Sequence, residues 1–209
     1  MSRRGRFGKY GEVKRLERIR RSGSKSLLPK GWHTKTWLHG LMPGRAPRAK
    51  GRIRIRPARS SDEEFIKELS AKVFSAYGPY GEIISQWFKS VMPTTLVALM
   101  EGERVGFVMT GLLSSDRFAE VVCELLAIAV KPEKQRHGIG KMLLKEAEKK
   151  AARLGEKKIF LHTAVGNTAA QKLFSNSGYY CEAIKKNFYP SGQDALMMSK
   201  SLKPAPQGS

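Results

Sequence analysis

Three features of this sequence predict an α+β fold rather than a doubly wound one. Strand-type and helix-type patterns follow the order strand, two helices, three strands, helix, strand, helix and a final pair of strands. The run Glu124-Leu-Leu-Ala-Ile-Ala-Val130 stops at Lys131-Pro132, as a buried strand does. Directly after it, Gly138 and Gly140 stand at the mouth of an amphipathic segment that continues to Leu154. With 41% apolar residues in 209, the chain has enough apolar side chains for one ordinary core plus an appendage.

Taken in order, Ile53 to Arg56 alternates apolar and basic as a half-buried first strand. Ser60-Ser-Asp-Glu-Glu64 reads as an N-cap followed by acids in a first turn. That helix runs through Phe65, Ile66, Leu69, Val73 and Phe74, and Tyr77-Gly-Pro-Tyr-Gly81 breaks it. Glu82 to Met92 resumes a helical pattern. Thr94 to Met100 and Arg104 to Leu112 form a hairpin over Glu101-Gly-Glu103. Residues 120–130 and 158–164 are the fourth and fifth strands, and residues 138–154 the long helix between them. Internal repeats are absent from the sequence.

Charge divides the chain. Residues 1–52 carry 16 Lys/Arg against Glu12 and Glu17, a balance of +14, while residues 53–209 carry 23 against 16, a balance of +7. The first segment, with Pro29, Pro43 and Pro47 as punctuation, lacks the apolar content for a core and reads as a basic arm. Within it Val13, Leu16 and Ile19 give a narrow stripe over Glu12 to Arg21, a short helix that needs a partner. Nine Lys/Arg between Arg3 and Arg21, with Phe7 and Tyr10 interleaved, fit a phosphate-rich partner such as ribosomal RNA. An anionic membrane surface, a targeting peptide and a solubilising tail are the alternatives. Residues 53–203 form the domain and 204–209 a polar tail.

Other classes are excluded. Cys123 and Cys181 both fall within strands, as small buried hydrophobes of a reducing compartment rather than a disulfide framework. No apolar run approaches the ~18 residues of a membrane span. The start, Met-Ser-Arg-Arg-Gly-Arg, has no hydrophobic segment of signal-peptide type. The expectation is a cytoplasmic protein. His33 and His39 have no companion ligands nearby, so no metal site is expected.

The glycine turn is the first candidate site. In Gln135-Arg-His-Gly138-Ile-Gly140-Lys141, the backbone N–H groups from Arg136 to Lys141 can face a pyrophosphate at the positive end of the long helix. Gly138 and Gly140 let phosphates approach without a Cβ in the way, and Lys134, Arg136 and Lys141 add charge. Asn167 follows the fifth strand and opens the next helix, Asn167-Thr-Ala-Ala-Gln-Lys-Leu-Phe174, before Ser177-Gly-Tyr-Tyr180 and Lys186-Asn-Phe-Tyr-Pro190. This ordered set resembles the GNAT acetyltransferases, and within them the RimI-like protein N-terminal acetyltransferases, from about Ile53 to Leu202.

The resemblance implies a mixed, mostly antiparallel sheet, splayed between its fourth and fifth strands, with helices on both faces. It implies acetyl-CoA as substrate, held by Gln135, Arg136, His137, Gly138, Ile139, Gly140 and Lys141, by main-chain groups of Ile128, Ala129 and Val130, and by Asn167, which also reads as a plain helix cap. The acceptor would be a protein or peptide, most simply an N-terminal α-amine, with lysine or a small amine as the other acceptors. A non-catalytic acetyl-CoA-binding domain on an RNA-binding protein is the reading from another class.

Two positions depart from the RimI pattern. His162 stands where bacterial RimI has a glutamate base, as in a eukaryotic branch that uses Leu-His in this strand. An imidazole, with a reference pKa near 6.5, suits proton acceptance at neutral pH. Glu124 is the rival base, and core packing of His162 the bland alternative. Phe174 occupies the position of the general-acid tyrosine, where it can touch the cofactor but give no proton; Tyr179, Tyr180 or Tyr189 would have to substitute. Tyr77 and Tyr80 lie in the implied loop between the first two helices, and Phe188 and Tyr189 in the loop between strands six and seven, both facing the acceptor.

Overall fold

The computed structural model describes residues 52–90, 93–115 and 120–203. Residues 1–51 of the basic arm, the helix expected over Glu12 to Arg21 and the tail 204–209 lie outside them. Within them run β1 (Ile53–Pro57), α1 (Glu63–Val73), α2 (Tyr80–Lys89), β2 (Thr94–Met100), β3 (Glu103–Ser115), β4 (Glu120–Val130), α3 (Ile139–Arg153), β5 (Lys158–Ala164), α4 (Thr168–Ser175), β6 (Tyr180–Lys185) and β7 (Ala195–Ser201). One seven-stranded sheet has the order β1-β2-β3-β4-β5-β7-β6. Every neighbouring pair is antiparallel except β4 and β5.

That parallel pair is short. It holds Cys123 opposite Ile159, Glu124 opposite Phe160 and Leu125 opposite Leu161, and there the ladder ends, although β4 continues to Val130. The expected splay is therefore present, and it begins at a defined residue. Opposite β3 the register slips between Met109 and Thr110, so that Leu126 is an extra residue in β4. Such a bulge bends its strand and reverses the facing of the residues beyond it. Cys123 and Leu125 accordingly point into the core under α3, whereas Ala127 and Ala129 point toward α1 and α2.

Helices cover both faces. Ile66 and Leu69 of α1 and Ile84 of α2 pack on Val97, Phe107 and Met109. On the other face Leu143, Leu144, Ala147 and Ala151 of α3, spaced at three and four residues, pack with Phe174 of α4 on Val105, Val108, Ile159 and Leu161. Cys123 is buried among them, and burial pushes its thiol up to about 12, so it stays protonated and inert. Cys181 differs from expectation: it is half-buried, on the edge strand β6.

Two local expectations are corrected. The second helix spans Tyr80–Lys89, not Glu82 to Met92, because Pro79 fixes the backbone at its N-cap and Ser90 is extended. The start of α1 is organised by Asp62, one of the acids expected after the cap, rather than by a capping serine. Asp62 is fully buried; its carboxylate accepts from the Arg59 amide at 2.7 Å, pairs with both nitrogens of the Arg56 fork at 2.6 and 3.0 Å, and meets Arg104 Nε at 3.0 Å. Arg56 is thereby drawn out of the simple alternation of β1 and half-buried.

The Arg56 hydrogen bond is the main cause that holds the Asp62 carboxyl below its ordinary range. A depressed folded value means that the stability Asp62 contributes is complete above the unfolded aspartate pKa near 4 and drains away as pH falls below it. Asp62→Asn is expected to cost about 3 kcal/mol at pH 7, because it breaks a buried pair on one side. Urea titrations of both proteins at several pH values check this: the gap between their midpoints narrows as pH drops from 5 toward 3.

Candidate functional site

Where β4 leaves β5, the chain builds two half-sites on opposite sides of the gap. The first is the turn into α3. Lys131 N–H bonds Val105 O at 2.9 Å, and a short 3-10 turn over Pro132–Lys134 reverses the chain. Gln135 Nε2 then reaches back to Val130 O at 3.1 Å, and His137 Nδ1 donates to Gln135 O at 2.7 Å. Arg136 and Gly138 both take positive φ, 62° and 81°. The φ of Gly138 lies in the left-handed region that favours glycine, and among the described residues nothing stands within 4 Å of where a Cβ would be.

The first amide of α3 with a helical partner is Met142, which bonds Gly138 O at 3.0 Å. The N–H groups of Ile139, Gly140 and Lys141 precede it and, like those of any helical first turn, point outward along the axis. Dipole and bare donors together make this end attractive to an anion. The Ile139 side chain is buried in the core, so only its main chain faces the turn.

Charge around the turn is less than the sequence implies. Lys134 lies 3.9 Å from Glu103 Oε2, and Lys131 binds the other oxygen at 2.6 Å, so Glu103 on β3 draws both lysines away. Among the described residues no carboxylate pairs with Arg136 or Lys141. Along β4, the Val130 carbonyl is occupied by Gln135, which leaves Ala127 to Ala129 as the stretch whose edge on the β5 side has no strand of the described residues against it.

The second half-site lies on the face away from α3. On β5, Ile159 and Leu161 enter the core, so Phe160 and His162 face the other way; His162 is the first β5 residue past the β4 ladder. Its Nδ1 is 2.8 Å from Glu124 Oε1. A carboxylate accepts only, so the Nδ1–H donates, and in the neutral ring Nε2 carries the lone pair. Nε2 is buried and, among the described residues, has no hydrogen-bond partner. The ring of Phe188 stacks on the imidazole, centroids 4.3 Å apart and planes 16° from parallel. The residues expected to be rival bases are thus one hydrogen-bonded pair.

Around this pair the two aromatic loops meet. Tyr77 ends a 3-10 turn, and Tyr80 opens α2. Tyr189 sits 5.0 Å from Tyr77, 6.1 Å from Tyr80 and 5.1 Å from Phe188 by ring centroids. Burial first, and then Tyr80, Tyr77 and Glu124, push the Tyr189 hydroxyl well above the usual tyrosine range. It holds its proton and offers a hydrogen bond rather than an easily released acid.

The other two substitutes for the missing acid are placed elsewhere. Tyr179 is buried in the core under α3, where burial foremost, with Glu148 nearby, raises its hydroxyl far above the usual value. Tyr180 is exposed on β6, the far edge of the sheet. Phe174, expected among the cofactor contacts, is only 2% exposed and packs on Tyr179 at 5.7 Å; its ring is committed to the core. Asn167 Oδ1 accepts from Ala170 N at 3.1 Å and caps α4, so the side-chain NH2 is what it can offer a ligand.

The sequence alone presents Glu124 and His162 as competitors and gives no sign of the bond between them in either strand taken singly. Parity carries a signal for it, since Glu124 alternates with Cys123 and Leu125 as His162 does with Leu161. The reach of Gln135 and the tie between the two aromatic loops left no signal in the local pattern.

The sequence model of the acetyltransferase (GNAT) family matches residues 62–179. The chain is 33% identical over 110 residues to a [ribosomal protein bS18]-alanine N-acetyltransferase of Salmonella typhimurium, covering 47% of this chain and 73% of that protein. It is 27% identical over 156 residues to an N-alpha-acetyltransferase of Sulfurisphaera tokodaii, covering 71% and 93%. Among solved structures, Arabidopsis thaliana NAA60 in complex with acetyl-CoA superposes with a TM-score of 0.62 at 18% identity, covering 72% of this chain and 98% of that one. With its sheet split after Leu125 and a glycine turn opening the following helix, the chain belongs to the GNAT family of N-acetyltransferases.

Proposed function

We propose that this protein acetylates the α-amine of a protein or peptide N-terminus, with acetyl-CoA as donor and His162 as base. The carrying observation is the Glu124–His162 pair on the first residue beyond the β4–β5 ladder, with a buried Nε2 that no described residue bonds.

The residues present fit an acyl-CoA donor. The open space at Gly138 and the bare amides of Ile139 to Lys141 would hold the pyrophosphate, and the unpaired edge of Ala127 to Ala129 would pair with the amide-bearing arm. Acetyl-CoA, when bound, supplies a thioester whose carbonyl carbon takes the acceptor nitrogen and whose sulfur leaves as thiolate.

His162 Nε2 takes the proton that the acceptor nitrogen loses as its bond to carbon forms, and Glu124 holds the ring in that tautomer and balances the imidazolium. Phe188, stacked on the ring, helps limit the imidazole side chain to 16% exposure. An α-amine near pKa 8 is about a tenth neutral at pH 7, against roughly 0.04% for a lysine, so a histidine base matches the former better. A thiol near pKa 8.5 leaves as thiolate without an acid. Tyr189→Phe is therefore expected to lower kcat less than about tenfold, well short of the loss that follows removal of a general acid. Steady-state kinetics on that variant check it.

Thiol release from acetyl-CoA tests the reading against three acceptor sets: peptides with free α-amines, the same peptides with blocked α-amines and free lysines, and simple amines. Turnover confined to the first set supports it. Turnover confined to either other set replaces the acceptor.

A further inference from the structure

We infer that Gln193 is a positioning residue that locks the two acceptor loops into one slot, an inference that rests on the peptide acceptor proposed above. The loop between β6 and β7 folds back on Gln193, whose carbonyl accepts from both Phe188 N at 3.0 Å and Tyr189 N at 3.1 Å. These are the residues that stack on His162 and face Tyr77. The Gln193 side chain points the other way. Its Nε2 donates to Ala76 O, 117 positions back in the chain, at 2.7 Å, and its Oε1 meets the Ser191 hydroxyl.

Ser191 has a single proton for two acceptors, Gln193 Oε1 and Ala76 O, the latter at 3.0 Å. The Gln193 amide is thus the donor that Ala76 O retains whichever way that hydroxyl turns. One residue therefore holds the aromatic pair with its main chain and the α1–α2 connection with its side chain. Gly78, at φ 137°, comes so close to Pro190 that a Cβ there would stand 2.9 Å from the Pro190 Cβ, so the two loops touch where Gln193 ties them. Both loops border the face on which Nε2 of His162 waits, and their spacing sets where an acceptor chain can lie. The chemistry at His162 does not depend on the tie, because the Glu124–His162 bond is made on β4 and β5.

Gln193→Glu keeps the size of the side chain and removes the donor, leaving a carboxylate against a carbonyl. With the most active peptide of the α-amine set, KM for the peptide is expected to rise roughly tenfold, the loss of one hydrogen bond and its alignment, while kcat and KM for acetyl-CoA stay within twofold. In the absence of substrates, amide hydrogen exchange over residues 74–80 and 186–194 is expected to quicken together. Ser191→Ala should produce much less of either effect. A fall in kcat with peptide KM unchanged, or exchange that quickens in the 186–194 segment alone, overturns the inference. If the wild-type protein turns over no peptide, the acceptor reading fails, and the exchange measurement still decides whether Gln193 couples the loops.

Discussion

His162→Ala is expected to lower kcat/KM for a peptide acceptor by about 10²- to 10⁴-fold, the range for removal of a positioned general base. Three features place the value high in that range. Nε2 is the lone pair left once Glu124 holds Nδ1–H, it is shielded from water, and no described residue bonds it in the protein as it stands. KM for acetyl-CoA should stay put, because the glycine turn into α3 lies across the gap. Glu124→Gln should show a smaller loss, of about tenfold or more, since the amide oxygen of that variant can still accept from Nδ1 but no longer balances the charge of the imidazolium. Full activity of the His162 variant near neutral pH would remove the histidine from the mechanism, and with it the main reason for favouring an α-amine.

Gly138→Ala should act on the donor side alone. A β-carbon at φ 81° costs roughly 1–2 kcal/mol in the left-handed region, and it enters the open space in front of the bare amides of α3. KM for acetyl-CoA is expected to rise at least tenfold with peptide KM unchanged. Among the described residues nothing lies within 4 Å of the Gly138 position to clash with, so the fold should tolerate the methyl group and a thermal melt should shift only by the backbone strain. Equal losses on both substrates would instead indicate that the turn and the acceptor slot move as one unit.

These two variants divide along the same line that separates what can be read locally from what cannot. The glycine turn is legible because its signal is contiguous: a strand ending at Lys131-Pro132, glycines at 138 and 140, and apolar positions at 139, 143, 144, 147 and 151 that commit the segment to a helix with its N-terminus at the turn. The same holds for the element order, which the structure reproduces, with α2 displaced by two to three residues because proline geometry at Pro79 governs its start. His162 and Phe174 are both visible as departures from a pattern, but their fates differ. His162 projects from the face of β5 away from α3, under the ring of Phe188, while Phe174 is turned into the core on Tyr179, and a helical position alone does not reveal how deep the helix sits.

Periodicity, capping and turn chemistry are properties of ten to fifteen neighbouring residues, so the sequence by itself determined the elements, the α+β order, the glycine turn and the family. Pairings across 38, 28 and 117 positions were decided only by the tertiary structure: Glu124 with His162, Lys131 with Glu103, Gln193 with Ala76. Each depends on strand register or loop approach. A one-residue slip in the short parallel ladder would have faced His162 into the core. Three paired residues and a bulge at Leu126 settle that register, and they place the His162 imidazole, the Glu124 carboxylate and the open edge of β4 around a single gap.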